Sequence, residues 1–339
     1  MYISRNIIKM IVIARNITQK FNRIYRNIIV KEQYPMLTSL SRKELGRTDA
    51  LGVVFMLHHI TNKDKTRIPT NEDLKVSPEF LEKIILRYRS KGFQFISLDD
   101  LSLMISQKQL PEQPFVAFTI DDGYLDNYTL AYPVFKRYNV PFTIFIATDF
   151  IDRKAILWWD TIEELILRND NITTSDGIFY PCGTFQQRWN TFRLLREKIL
   201  SFNQEKLLKQ LNQLFNKYNI DWFDPIKKQA MTWEQLISIS RDPLCTIGGH
   251  TVSHPALNQV SENRFNHEIS ECVSKLKSAI DLDIHHFAFP YGSSNEIGDR
   301  EIRLISNYHF KTVFMATGGC ITKNNCFKTN QLPRVYLHE

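Results

Sequence analysis

The sequence predicts an α/β fold in which helices wrap a parallel sheet. Three observations lead there. Short apolar runs of strand length alternate with segments whose apolar residues recur every three or four positions, the pattern of strand followed by crossover helix. With 43% hydrophobic residues over 339 positions, the chain can bury one large core. Two aspartates and two histidines stand at the carboxyl ends of predicted strands, where parallel sheets assemble their sites.

Residues 1–31 carry Arg5, Lys9, Arg15, Lys20, Arg23, Arg26 and Lys31 and no acid, while Ile3, Ile7, Ile11, Ile17, Phe21, Ile24 and Ile28 fall on one helical stripe. This predicts a basic amphipathic N-terminal helix, either lying on an anionic membrane surface or packed on the main domain. Charges interrupt each apolar run before the roughly 18 residues that span a bilayer, and no uncharged core with a small-residue cleavage site marks an export signal. We place this segment at 1–50 and the main domain at 51–339.

Residues 51–57 (LGVVFML) read as a buried strand that ends at His58 and His59. Ser77 and Pro78 start a helix that runs to about Ser90, Gly92 stops it, and FQFIS at 93–97 is the next strand. The alternation continues with strand 115–120, helix near 126–138, strand 140–147, strand 244–247, helix 261–281, strand 285–289, helix near 299–306 and strand 310–315. Residues 155–230 break the rhythm and predict a helical insertion without a strand. Within it, Ile162, Leu165, Ile166, Leu194, Leu195, Leu207, Leu208, Leu211 and Leu214 recur at helical spacing as packing residues.

The net charge of +7 is misleading about partners, because residues 1–50 hold ten Lys/Arg against three Asp/Glu and so account for all of it. No uniformly basic groove or nucleic-acid motif follows, and nucleic acid is not an expected partner. Five scattered cysteines without a CxxC pair suggest neither a disulfide framework nor a cysteine zinc site. A cytoplasmic location is expected, with residues 1–31 at the inner face of the membrane.

Three strand ends carry the chemistry. Asp121 and Asp122, in TIDDG, place two adjacent acids where burial is costly without a cation or base. One can hold a metal while the other accepts a proton from water; a solvated turn is the plainer alternative. His250 and His254, in HTVSH, can converge on one metal if the segment coils, and Pro255 favours a tight loop over mid-helix. The plainer alternative there is a surface pair. FAFPYG at 287–292 adds Pro290, which stiffens the chain, and the ring and hydroxyl of Tyr291.

Together these segments resemble the polysaccharide deacetylases of carbohydrate esterase family four. TIDDG is similar to that family's TFDDG, HTVSH to its H[ST]xxH, and FAFPYG to its RxPY[GR], in the same order. LHHI at 57–60 and YLDNYTLAYPVFKRYNVPFTIFI after the acid pair extend the similarity over residues 51–338, apart from the insertion. The resemblance implies a distorted (β/α) barrel of about seven parallel strands. It also implies that Asp121 is the general base, that Asp122, His250 and His254 hold a divalent metal, zinc first with cobalt or nickel as alternatives, and that Tyr291 and Pro290 line an acetyl pocket.

Two departures matter. Ala288 stands where the family usually has the arginine that holds its catalytic aspartate, and Arg334 in LPRVYLHE is expected to supply that charge. The family's general-acid histidine follows a pattern like LxxH, which makes His338 in VYLH the candidate, with His58 or His59 as neighbours of the site. The activity implied is metal-dependent removal of the N-acetyl group from an N-acetylhexosamine in a polysaccharide or lipid-linked glycan. Two other readings are removal of formyl or another acyl group from an aminosugar, and a non-catalytic glycan-binding protein that keeps the fold. Trp158 and Trp159 are either stacking platforms for pyranose rings or core residues.

Overall fold

The computed structural model describes residues 45–47 and 49–339. The predicted basic helix over 1–31, and most of the segment up to residue 50, lie outside the described residues.

The parallel sheet rolls into a nearly closed barrel. β1 (Ala50–Leu57), β2 (Phe115–Asp122), β3 (Phe142–Ile146), β4 (Cys245–Gly249), β5 (His286–Ala288), β6 (Thr312–Met315) and β7 (Leu332–Pro333) are neighbours in that order. β8 (Val335–Tyr336) then pairs in parallel with β1, Phe55 opposite Val335 and Met56 opposite Tyr336, so the sheet returns to its first strand. The closing strand is thus two short pieces with Arg334 between them, giving eight strands around the ring where about seven were expected, while Gln94–Phe95 and Ile321–Thr322 pair at its margins.

α1 (Pro78–Ser90) begins as predicted, with Ser77 Oγ accepting from Phe80 N–H at 3.1 Å. α2 (Tyr132–Tyr138) follows a π-helical turn over Asn127–Ala131. The insertion contributes α3 (Trp158–Leu167), α4 (Phe185–Leu200), α5 (Leu207–Leu214) and α6 (Asp224–Gln229), and the barrel resumes with α7 (Glu262–Ile280) and α8 (Asp299–Ile305) around its last strands. No helix among the described residues is long and apolar enough to cross a membrane.

β1 and β2 are buried along their whole length, as strands covered on both faces must be. Their residues alternate between two cores. Phe115 and Ala117 pack with Phe145, Ala288 and Phe314 in one cluster, whereas Val116, Phe118 and Ile120 pack with Leu81, Phe135 and Leu276 of the surrounding helices. Two glycines make room for aromatic rings inside. Gly52 lies opposite Phe115 and Gly248 opposite Phe145, and a Cβ on either glycine would stand 2.4 Å from the facing ring.

The insertion builds its own apolar cluster from Ile162, Ile166, Phe192, Leu195, Leu211 and Leu214, while Leu194 points to solvent. It also contains strands, contrary to the reading of the sequence: Asn171–Thr173 pairs antiparallel with Phe179–Pro181. Three-residue strands are too short to show an alternating pattern, and only the turn signals them, with Gly177 at φ +82° donating its N–H to Thr174 O. Ala256 and Tyr291, from loops of the barrel, pack on the insertion cluster, which makes the insertion a wall over the carboxyl ends of the strands.

Candidate active site

β2 delivers the two acids. Successive strand residues face opposite ways, so Asp121 follows Phe115, Ala117 and Thr119 into the barrel and Asp122 would face the helices. Asp122 escapes that rule by adopting φ +81°, and both carboxylates reach one cavity. Thr251, His254 and Tyr291 also have positive φ, so four of the nine such non-glycine residues described fall in the three chemical motifs. Strain concentrated in this way marks a site whose geometry the surrounding fold imposes.

The loop after β4 places the histidines. His250 and His254 present Nε2 to Asp122 Oδ1 at 3.4 and 3.3 Å. His250 Nδ1 donates to Ala288 O at 2.7 Å, since a carbonyl only accepts, which leaves Nε2 as the ring atom that faces the carboxylate. Burial pushes His254 down to about 4 and so favours its neutral form near pH 7. Burial pushes Asp122 up, yet the facing His254 and His250 leave it below the ordinary carboxylate range. Oδ1 of Asp122 is buried without a hydrogen-bond donor. A buried carboxylate oxygen without a donor and two imidazole nitrogens, with their ligand atoms within 4.8 Å of one another, suit a divalent metal. It is the one such group among the described residues.

Glu268, which the sequence reading passed over, holds this loop. From α7 its fully buried carboxylate accepts from Val252 N–H and Ser253 N–H, both at 2.8 Å, and from Ser253 Oγ at 2.6 Å, with Arg264 Nη2 at 2.6 Å as its counter-charge. The signal was present: Phe265, Ile269, Cys272 and Leu276 form the buried stripe of α7, and Glu268 is the acid on that stripe.

Arg334 sits between β7 and β8, fully buried, and grips Asp121 with both fork nitrogens, Nη1 to Oδ1 at 2.6 Å and Nη2 to Oδ2 at 2.7 Å. Nη1 also donates to Thr119 Oγ1 at 3.0 Å, and the guanidinium lies 5.3 Å from the Phe145 ring centre. Burial alone would push Asp121 up; the Arg334 charge outweighs it and holds the carboxyl below its usual range. Ala288 offers no charge but uses its carbonyl to fix His250.

A cavity of about 350 Å³ opens over these groups, lined also by His58, Tyr291, Tyr336, His338 and the insertion's Trp158, Trp159 and Trp189. Trp158 Nε1 donates to Tyr291 Oη at 3.1 Å, and the Tyr291 ring meets His254 edge to face at 4.8 Å. Trp158 is therefore a core residue with one edge on the cavity, whereas Trp159 packs against His254 at 5.4 Å and keeps partial exposure. Pro290 is buried and accepts from Gly292 N–H. His338 is exposed, stacked on Tyr336 at 5.7 Å. The next residue, Glu339, accepts from Ser77 N–H and Oγ at 2.7 and 2.8 Å, which ties the segment to α1. His58 also stacks on Tyr336, at 5.9 Å, and burial lowers its pKa. His59 turns away to Asp126 Oδ2 at 2.8 Å.

Comparison with known proteins adds three findings. The family model for polysaccharide deacetylases matches residues 108–175 and 198–325. The polysaccharide deacetylase-like protein YxkH of Bacillus subtilis is 32% identical over 112 residues, a match that spans 33% of this chain and 37% of that protein. Among solved structures, the Streptococcus pyogenes deacetylase PplD in complex with acetate superposes with a TM-score of 0.56 at 17% identity, covering 84% of this chain and 92% of that one. The de-N-acetylase from Aggregatibacter actinomycetemcomitans gives 0.53 at 17% identity, over 84% and 94% of the two chains. At such identities the likeness is one of fold.

Proposed function

The chain belongs to the polysaccharide deacetylase family, and from that premise we propose that it removes the N-acetyl group from an N-acetylhexosamine in a polysaccharide or lipid-linked glycan, releasing acetate. One observation carries this reading: the cavity holds two unlike carboxylates side by side, Asp122 Oδ1 facing two imidazole nitrogens and Asp121 held by the Arg334 fork. Asp122, His250 and His254 would hold the metal, with zinc preferred over cobalt or nickel. When bound, such an ion supplies Lewis-acid chemistry to the acyl oxygen and to water.

Asp121 is assigned as the general base. Arg334 keeps it ionised but also makes it a weak base, so it can deprotonate only a water made more acidic than bulk. That water adds to the acyl carbon, the carbon–nitrogen bond breaks, and the amine leaves with a proton. We assign the proton donor as His338 at the cavity mouth, since burial disfavours the charged form of His58. Tyr291 and Pro290 are assigned to the acetyl pocket, with the Tyr291 hydroxyl held by Trp158.

The test is acetate release from N-acetylhexosamine oligosaccharides with zinc or cobalt present. Release is expected to stop on chelation, return with metal, and fall by roughly 10²-fold or more in Asp121→Asn. A metal-loaded wild type that releases acetate from no glycan would remove the reading. We further propose that the substrate is met at the inner face of a membrane, a reading supported by the basic amphipathic pattern of residues 1–31. Equal solubility on fractionation with and without those residues would overturn it.

A further inference from the structure

The insertion places on the cavity a charge that deacetylation does not use. α4 lines the cavity with Trp189, Phe192 and Arg196, three residues at helical spacing. The other ionised groups on that cavity have assigned counterparts: Arg334 and Asp121 hold each other, Asp122 faces the candidate metal position with His250 and His254, and Asp73 pairs with Lys63 at 3.5 Å. Arg196 is half-buried and, among the described residues, has neither an ion-pair partner nor a hydrogen-bond acceptor. Arg196 shares the cavity wall with Tyr291 and Tyr336 from the barrel side.

A guanidinium held partly out of water gains most when its planar fork meets an oxyanion. Beside it, Trp189 and Trp159 offer aromatic surface of the kind that packs on a pyranose ring. We infer that Arg196 binds an oxyanion carried by the glycan, a carboxylate or a phosphate on or next to the acetamido sugar, so that the enzyme's substrate class is an acidic glycan. The inference rests on the glycan reading above and narrows it.

The experiment titrates the protein's tryptophan fluorescence with three matched oligosaccharides, one neutral, one bearing a uronic acid and one bearing a sugar phosphate, and repeats the series with Arg196→Gln and Arg196→Lys. Wild type is expected to bind one or both acidic ligands at least about ten-fold more tightly than the neutral one. In Arg196→Gln that preference should fall to about unity, with Arg196→Lys between the two, and the better of the two acidic ligands identifies the anion. Equal binding of all three by wild type, or an undiminished preference in Arg196→Gln, overturns the assignment. Binding needs no turnover, so an acid preference without acetate release from any ligand would retain the anion site and reject the deacetylase reading.

Discussion

Asp121 and Arg334 meet with almost no exposure on either side, so removing one leaves the other as a bare buried charge. Arg334→Ala should lower stability in urea unfolding by about 3–5 kcal/mol and turnover by roughly 10²-fold or more. Arg334→Lys keeps the charge but loses the bidentate fork, and should recover stability better than turnover. Unchanged turnover in Arg334→Ala would remove its role toward Asp121. At this scale much of the site could be read from the chain. Asp121, Asp122 and His250 stand out because each ends or follows an apolar strand, His254 through its spacing from His250, and Arg334 as the charge that replaces the one missing at Ala288. Arg196 was not found, because an arginine on a helix reads as solvated until the fold shows that its neighbours Trp189 and Phe192 face a cavity.

Among the elements, α7 bears on the chemistry without touching the candidate metal. Its Glu268 satisfies the N–H groups of Val252 and Ser253 between the two histidines, in a loop already strained at Thr251 and His254. Glu268→Gln gives up the charge and one acceptor, and should weaken zinc affinity by about 10–100-fold while leaving the helix content unchanged. Calorimetric zinc titration beside circular dichroism checks this, and an unaltered zinc affinity would count against α7 as the support of the loop. The long periodic elements were legible for the same reason that α7 is stable: nineteen residues carry enough repeats of the buried stripe to declare a helix. The ribbon around Gly177 and the split closing strand were not, since two- and three-residue strands owe their form to the sheet they join rather than to their own pattern.

The molecule as a whole joins a barrel to an insertion, and the junction contains an acid in an unfavourable place. Burial pushes Asp160, in the first turn of α3, up to about 6, and its Oδ2 is buried without a donor. A folded value above the unfolded one, about 3.9, means that the fold favours the protonated acid. Its contribution is intact below about pH 4 and is lost as pH rises through about 6. Asp160→Asn should therefore raise the melting temperature at pH 8 and leave it nearly unchanged at pH 4; an equal shift at both would exclude ionisation as the cause.

The closing strand also sets an order of events in time. β1 is among the first elements made, but its partner β8 does not exist until residue 336 has been synthesised, and such distant pairings form late because their loop-closure entropy comes due before the contacts do. The candidate ligands Asp122, His250 and His254 are complete some eighty residues earlier. A chain cut short at residue 331 would therefore possess every candidate metal ligand and lack Arg334, the counter-charge for Asp121. The candidate metal site and the Asp121–Arg334 pair thus become complete at different moments in the life of the polypeptide, and the second waits for barrel closure.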